Sequence, residues 1–426
     1  MTYNEALNYI HSVTWKGSRP GLERTEKLLS LMGNPEKKLK FIHIAGTNGK
    51  GSTASMSASI LQKAGYTTGL YTSPYIFEFN ERMRVNGENI SNDELAEITE
   101  YIKPLADSME DSPTEFELVT CIAFEYFYRQ KCDIVCLEVG MGGELDSTNV
   151  IEPPVVSVIT NIGLDHTEFL GDTLEKIAET KSKIIKNNSV AVLYRSTEGV
   201  EQVIEKRCNE VGAKLYKADF DAVIPVSASL DYQVIDWKNL KGIKLPLLGE
   251  HQIKNTAVVL TVMEALRERG YNVADENIRD GLEGAVWKGR FEIVRHDPLF
   301  AVDGGHNPQC IESLVKNVKS YITMRPLVVL TGVLADKDFA AMYREMSGIA
   351  DEFVTVTPPN PRALSTEKLA EYITSLGAKA TPCNTVEEGV ALAMEKAGKS
   401  GAVVAYGSLY RGSDIENAAK KGDLEL

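Results

Sequence analysis

The chain has 426 residues, of which 43% are hydrophobic and 25% charged, a balance typical of a globular protein large enough for two domains. Lys and Arg number 46 against 60 Asp and Glu, and the resulting net charge of −14 argues against a nucleic-acid-binding protein. No apolar run is long enough to cross a membrane, no signal-peptide pattern opens the sequence, and the six cysteines form no CxxC pair. We therefore expect a cytoplasmic protein, a monomer by default, without nucleic-acid or membrane partners.

The first two-thirds of the chain alternates strand-like and helix-like segments. Residues 40–44, 133–139 and 155–160 are short apolar runs rich in β-branched side chains, whereas residues 52–64 and 114–130 have the length and composition of helices. Continuous apolar strands separated by helices are typical of a parallel sheet that is covered on both faces. The sequence thus predicts an α/β fold with a parallel-sheet N-terminal domain that carries a phosphate-binding loop.

The alternation begins again after about residue 291. Residues 327–331, 353–356 and 402–405 are strand-like, with helical segments between them, and predict a second, smaller α/β unit of Rossmann-like character. This part contains no GxGxxG, so a dinucleotide cofactor is not indicated. Because proline and polar residues suit a linker, we place the boundary at the His-Asp-Pro sequence, giving domains 1–296 and 297–426.

The strongest local signal is the segment IAGTNGKGST at residues 44–53, between a predicted strand and a predicted helix. Glycines allow backbone N–H groups to turn inward around phosphate oxygens, and the N-terminus of the following helix favours an anion. Lys50 would reach the terminal phosphates of ATP, and Ser52 would bind Mg²⁺ through its hydroxyl. The segment departs from GxxxxGK[ST], since Ile44 replaces the first glycine and Gly51 separates Lys50 from the hydroxyl.

Further segments resemble those of the folylpolyglutamate synthase/dihydrofolate synthase family within the Mur ligase superfamily. They follow the family's order along the chain: GTNGKGS (46–52), TSPYIFEFNERMRVNG (72–87), LEVGMGGELDSTN (137–149), TNIGLDH (160–166), GEHQ (249–252) with Asn255, KGR (288–290), DGGHNP (303–308), DKD (336–338) and PRA (361–363). The resemblance implies an ATP-dependent ligase that adds L-glutamate to a folate carboxylate through an acyl phosphate, and in a bifunctional version also converts dihydropteroate to dihydrofolate.

The resemblance also implies which residues carry the chemistry. It gives catalytic roles to Lys50, Glu138, His166 and Lys181, and two magnesium ions with the ligands Ser52, Ser73, Glu138, His166 and Lys181. Glu138 ends an apolar strand, where a lone carboxylate is costly unless it meets a cation. The family lysine, Lys181 here, can carry a carbamate, which turns a cation into an anionic metal ligand. Without the resemblance, His166 would be a structural histidine and Lys181 an exposed lysine on an amphipathic helix.

Two further sets of contacts follow from the resemblance. The expected ATP contacts are Gly46, Thr47, Asn48, Gly49, Lys50, Gly51, Ser52, Asn255, Arg290, Asp303 and His306. The expected contacts to the folate are Phe77, Arg82, Phe116, Asp146 and Ser147. Aromatic rings can stack on a pterin and arginine can pair with glutamate carboxylates, although core packing explains Phe116 equally well.

Two alternatives stay open on the sequence. A Mur-type ligase for cell-wall precursors would need a UDP-binding domain before the phosphate loop, and only about 40 residues precede it. A nucleotide-binding regulatory relative without catalysis would explain Glu144 and Thr180, where the family has Arg and Glu. Retention of Lys50, Glu138 and Lys181 argues against it. Because a sign reversal at residue 144 is not a neutral change near an anionic ligand, dihydropteroate use stays open.

Overall fold

The computed structural model describes residues 1–17, 19–335, 339–358, 360–407, 415 and 417–419. Its N-terminal part is built on an eight-stranded sheet with the order β4-β3-β2-β5-β1-β6-β7-β8. The strands are β1 (Phe41–Ala45), β2 (Thr68–Tyr71), β3 (Met83–Val85), β4 (Glu88–Asn89), β5 (Ile134–Glu138), β6 (Val156–Ile159), β7 (Val190–Leu193) and β8 (Lys214–Lys217). From β2 to β8 all neighbouring strands are parallel, and β3 and β4 extend the edge as an antiparallel hairpin. The predicted parallel-sheet domain is confirmed.

Helices cover both faces of this sheet, and the central strands are therefore buried along their whole length. The helices are α1 (Tyr3–His11), α2 (Glu23–Leu31), α3 (Lys50–Lys63), α4 (Asn92–Asp107), α5 (Glu115–Arg129), α6 (Thr167–Leu170), α7 (Leu174–Ser182), α8 (Glu198–Val211), α9 (Glu250–Glu268) and α10 (Asp275–Glu283). Ile42 and Ile44 pack with α3, α9 and α10, whereas Phe41 belongs to a second apolar cluster and packs with α1, α2, α4 and α5. A capping box of Thr114 and Glu117 fixes the start of α5.

A small antiparallel sheet, which the sequence analysis does not predict, lies between α8 and α9 in the chain. It consists of β9 (Val223–Ala228), β10 (Gln233–Trp237) and β11 (Leu240–Leu245), in the order β11-β10-β9. The inward-facing Ile235, Trp237 and Ile243 join the same apolar core as α3 and α9. The sheet therefore extends the N-terminal domain and does not form a separate unit.

The C-terminal part is a six-stranded sheet in the order β12-β13-β17-β14-β15-β16. Its strands are β12 (Glu292–His296), β13 (Leu299–Asp303), β14 (Leu327–Gly332), β15 (Glu352–Thr355), β16 (Ala380–Pro382) and β17 (Ala402–Gly407). Its helices are α11 (Pro308–Tyr321), α12 (Phe339–Ser347), α13 (Thr366–Ser375) and α14 (Val386–Ala397). The sheet is parallel except for β12, with α11, α12 and α13 on one face and α14 on the other. The expected second α/β domain is confirmed.

The position of the domain boundary stays a prediction, and the pairing of the strands bears on where it lies. A division between residues 296 and 297 falls at the turn of the hairpin formed by β12 and β13, which are hydrogen-bonded along their length. Because β12 completes the C-terminal sheet, we propose a boundary before Glu292. Within the part of the chain that the structure describes, no helix has the length and apolar character needed to cross a bilayer.

Candidate active site

A cavity of about 330 Å³ lies between the two domains, where the central strands β1, β5 and β6 reach their carboxyl ends. The C-terminal domain contributes the end of β13 and the first turns of α11 to the same cavity. Ligands bind at this edge of open α/β sheets because loops and helix N-termini converge there. Every residue that the sequence analysis expects to contact ATP lines this cavity.

The phosphate loop follows β1 and leads into α3, as predicted. Gly46 has a φ of 155°, and a Cβ atom there would lie 1.8 Å from the hydroxyl oxygen of Thr160. Gly49 has a φ of 87°, and its Cβ would lie 2.6 Å from Oδ1 of Asn255. Both positions therefore require glycine, which brings the loop backbone close to β6 and α9.

Lys50 and Ser52, two of the polar side chains of the loop, lie inside the cavity. Lys50 Nζ donates a hydrogen bond to the carbonyl oxygen of Thr47 at 3.1 Å, so its ammonium is folded back over the loop. Ser52 is 4% exposed, and its hydroxyl accepts a hydrogen bond of 3.2 Å from Nε2 of Gln252. A phosphate would offer Lys50 a stronger acceptor than a carbonyl group.

Glu138 is the last residue of β5 and a buried carboxylate beside the loop. It is 4% exposed, and among the described residues it accepts one hydrogen bond, of 3.2 Å, from the backbone N–H of Ser73. Burial raises the pKa of Glu138, while the charges of Lys50 and Arg290 and the Ser73 N–H act in the opposite direction. A buried carboxylate with so few partners is a suitable ligand for a cation.

Lys181 lies at the end of α7 and points into the same cavity. Its side chain is 5% exposed, and no hydrogen bond or ion pair to the described residues engages its ammonium group. Burial, followed by repulsion from Lys50, lowers the pKa of Lys181 to about 7. Burial at this position therefore favours the neutral amine over the ammonium.

His166 lies on the rim of the cavity. Its side chain is 44% exposed, its φ is 49°, and its backbone N–H donates to Oδ1 of Asp165 at 2.9 Å. Among the residues described, no group of three or more His, Cys, Asp or Glu is arranged to hold a metal ion. The donors Ser52, Ser73 and Glu138 nevertheless fit Mg²⁺, which takes few protein ligands when phosphate oxygens and water complete its octahedron.

The remaining expected ATP contacts line the cavity from α9 and from the C-terminal domain. Asp303 accepts hydrogen bonds from the backbone N–H groups of Phe291 and Gly305, at 2.8 and 2.7 Å, and burial raises its pKa. Its carboxylate thus ties the 289–291 segment, with Arg290, to the start of the 303–308 loop. His306 Nδ1 lies 3.0 Å from the carbonyl oxygen of Gly304 in that loop.

The expected folate contacts lie outside this cavity. Phe77 packs near Gly289, with Lys288 Nζ 5.1 Å from its ring centre. The guanidinium carbon of Arg82 lies 5.2 Å from the ring centre of Tyr75 and 5.5 Å from that of Phe79. Phe77 and Arg82 both belong to the segment of residues 74–82, and their contact with a folate stays a prediction.

Phe116, Asp146 and Ser147 support the loop that follows β5. Phe116 lies against Gly140, whose Cβ would approach its ring to 2.4 Å. Asp146 is 6% exposed and accepts hydrogen bonds from the N–H of Met141 at 2.8 Å and from the N–H and hydroxyl of Thr148 at 3.0 and 2.6 Å. Its carboxylate is thus engaged by its own loop, while Ser147 is buried beside it.

Several residues that line the cavity have no role assigned to them by the sequence-based prediction. His251, Asp165, Gln309 and Asn317 all line it. Burial and the charge of Arg290 lower the pKa of His251 to about 4, so that it is neutral. His251 stands in the GEHQ segment, whereas no sequence motif singles out the two α11 residues. The DKD segment at 336–338 lies outside the described residues.

Comparison with known protein families matches residues 44–263 to the Mur ligase middle domain and residues 289–409 to the Mur ligase, glutamate ligase domain. The chain is 36% identical over 430 residues to a dihydrofolate synthase/folylpolyglutamate synthase of Bacillus subtilis, covering 98% of this chain and 99% of the relative. Between them the two matched families include the phosphate loop, the β5 and β6 ends and the DGGHNP loop.

Comparison with solved structures leads to proteins of the same family name. The folylpolyglutamate synthase of Thermotoga maritima superposes with a TM-score of 0.86 at 34% identity, over 99% of this chain and 97% of that one. An E. coli chain crystallised in complex with DHPP and ADP superposes with a TM-score of 0.86 at 28% identity, over 99% and 98%. The similarity therefore covers both domains and the cavity between them.

Proposed function

The chain belongs to the folylpolyglutamate synthase/dihydrofolate synthase family, and on that premise we propose that it is an ATP-dependent ligase that joins L-glutamate to the carboxylate of a folate. One observation carries the proposal: the phosphate loop, Glu138 and Lys181 meet in a single cavity that both ligase domains line. End-to-end similarity to relatives of that name supports the choice of the folate branch over a Mur-type ligase of cell-wall precursors.

The chemistry explains why such a cavity is needed. A carboxylate acylates amines poorly because oxide is a poor leaving group, whereas phosphorylation by ATP gives an acyl phosphate that an amine can attack. Positioning and electrostatic stabilisation supply most of the catalysis in phosphoryl transfer. Lys50 and Arg290 supply positive charge for the phosphates, and closure of the two domains around the cavity would keep water away from the acyl phosphate.

We propose Mg²⁺ as the resident metal, held by Ser52, Ser73 and Glu138, with His166 and Lys181 at a second site. The ion would neutralise phosphate charge when bound. Lys181 suits a carbamate because carbamate formation from CO₂ requires a neutral amine, and burial favours that form. L-Glutamate as co-substrate, a monomeric state and a cytoplasmic location belong to the same proposal.

A second activity, glutamylation of dihydropteroate, is proposed on the double name of the Bacillus subtilis relative and on the E. coli complex with DHPP. Glu144, which replaces the family arginine, is exposed, and its backbone N–H donates to the carbonyl oxygen of Thr180 at 3.1 Å. An exposed carboxylate leaves the buried core of the loop intact. It also reverses the sign of the charge that the family arginine carries at this position.

The test is phosphate release from ATP and Mg²⁺ in the presence of L-glutamate, with either a tetrahydrofolate or dihydropteroate as acceptor and product masses measured. A product one glutamyl unit heavier with tetrahydrofolate alone would support the synthase and exclude the second activity. Products from both acceptors would support the bifunctional enzyme. Absence of product from either pterin would overturn the proposal.

A further inference from the structure

Asn48, in the middle of the phosphate loop, uses both ends of its side-chain amide to contact the other domain. Its Nδ2 donates to Oε1 of Gln309 at 2.6 Å, and its Oδ1 accepts from Nδ2 of Asn307 at 3.2 Å and from Sγ of Cys310 at 3.1 Å. These three partners lie at the start of α11, about 260 positions further along the chain. The phosphate loop is thus hydrogen-bonded directly to the first turn of one C-terminal helix.

The first turn of α11 is itself well ordered by its own hydrogen bonds. Asn307 is the N-cap residue, and its Oδ1 accepts from the backbone N–H of Cys310 at 2.9 Å while its Nδ2 reaches Asn48. An N-cap residue has a fixed backbone geometry and a fixed side-chain direction. The Asn307 amide that contacts the phosphate loop is therefore held in place by the N-terminus of α11.

Gln309 also contacts the loop that follows β6. A Cβ atom on Gly163 would lie 2.4 Å from Gln309 Oε1, so the glutamine fits only because that position is glycine. Gly163 is bound in turn to the phosphate loop, since its N–H donates to Oγ1 of Thr47 at 3.0 Å and its carbonyl accepts from the same hydroxyl at 2.9 Å. One side chain from the C-terminal domain thus meets two loops that are already joined to each other.

We infer that Gln309 is a positioning residue for the nucleotide: through Asn48 it holds the phosphate loop in its binding geometry when α11 closes on the N-terminal domain. This inference deepens the proposed ATP-dependent function and rests on it. Gln309 is uncharged and makes its hydrogen bond to the loop side chain, so its contribution reaches the phosphates indirectly. The affinity for nucleotide consequently depends on a contact that neither domain can make alone.

The experiment is a double-mutant cycle on the full-length protein, with Mg·ADP as the probe and calorimetry as the measurement. Gln309→Ala should weaken Mg·ADP binding by roughly tenfold, the usual effect of losing one partly buried hydrogen bond. Asn48→Ala should weaken it by at least as much, because this variant also loses the contacts with Asn307 and Cys310. The double variant should bind only about as weakly as Asn48→Ala, because that variant has already lost the contact with Gln309. Gln202→Ala, the same replacement on an exposed part of α8, is the matched control and should bind like the wild type.

The outcomes separate this inference from the proposed function, because Mg·ADP binding requires neither folate nor glutamate. Effects that multiply to about a hundredfold in the double variant would overturn the coupling, as would wild-type affinity in Gln309→Ala. If Asn48→Ala does not fold, judged by its circular dichroism and Tm, Gln309→Met decides the question. That variant should raise the KM for ATP and leave the KM for the folate unchanged, and equal changes in both would contradict the inference. A wild type that binds Mg·ADP but forms no glutamylated product would overturn only the proposed function.

Discussion

A lysine ammonium loses its hydration when it is buried, and Lys181 has gained no partner among the described residues to replace that hydration. Its pKa of about 7 lies below the usual lysine value, so between about pH 7 and pH 10.4 the unfolded chain binds more protons than the folded one. Stability therefore rises with pH across that window, and below it the folded protein carries the full cost of the buried charge.

We accordingly expect Lys181→Met to stabilise the protein while abolishing turnover. The gain in unfolding free energy should be largest below pH 7, on the order of 3–5 kcal/mol, and should shrink as the pH approaches 10. Urea unfolding from pH 6 to 9.5, in CO₂-free buffer with EDTA, measures it. Lys183→Met, two residues away, is the matched control. If Lys181→Met were less stable than the wild type at pH 6, burial of the Lys181 ammonium would not destabilise the folded protein.

Thr148 links two buried titratable groups. Its hydroxyl donates to Oδ1 of Asp146 at 2.6 Å and lies 2.9 Å from Nε2 of His43, a fully buried histidine whose pKa burial lowers to about 3. Thr148→Val keeps the shape but leaves both partners short of a hydrogen bond. The expected loss of unfolding free energy is about 1–3 kcal/mol by urea titration, and Thr148→Ser should recover most of it. Equal stability of the valine variant and the wild type would contradict this account.

At the scale of elements, the start of α3 depends on one close contact with the segment after α10. Gly51 is the second residue of α3, and a Cβ there would lie 2.3 Å from Cζ2 of Trp287. Glycine to alanine inside a helix ordinarily stabilises by about 0.5–1 kcal/mol, but here the ring would have to move. Gly51→Ala should therefore lower the Tm and weaken Mg·ADP binding.

Replacement of the ring should reverse that effect. The double variant Gly51→Ala with Trp287→Leu should bind Mg·ADP more tightly than Gly51→Ala alone, because leucine leaves room for the methyl group. Calorimetry and thermal unfolding of both single variants and the double variant test the pair. If the double variant is the weakest of the three, the clash is not the cause of the loss.

Strands that are buried on both faces could be predicted from the sequence, because burial on both faces imposes a continuous apolar pattern such as that of β1. The β9–β11 sheet was not, since Pro225 and register shifts in both of its pairings interrupt any regular alternation. The domain boundary is hard to place from sequence for a related reason. His296 to Pro298 resembles a linker in composition, whereas the pairing of β12 with β13 is a property of the sheet that local composition does not report.

At the scale of the whole molecule, the site also combines features that a local sequence pattern reveals with contacts between distant parts of the chain that it does not. The phosphate loop is encoded within ten consecutive residues, so its strand, glycines and lysine could be recognised locally. Gln309 contacts Asn48 across 261 positions, and no local pattern distinguishes it from any other glutamine at the start of a helix. Asp146 shows the converse. Its type and motif predict a substrate contact, which stays a prediction, whereas the structure shows three N–H and O–H groups of its own loop that donate to its carboxylate.

Because both domains line one cavity, nucleotide binding should change amide hydrogen exchange in both domains at once. We expect Mg·ADP to slow amide hydrogen exchange in residues 46–52 and 303–310 together, while the β9–β11 sheet, which lines no part of the cavity, keeps its rate. In Gln309→Ala the protection of the two segments should fall in parallel, since α11 then lacks its acceptor for Asn48. Protection confined to residues 46–52 would mean that the nucleotide binds to the N-terminal domain alone, and that closure of the C-terminal domain awaits the other substrates.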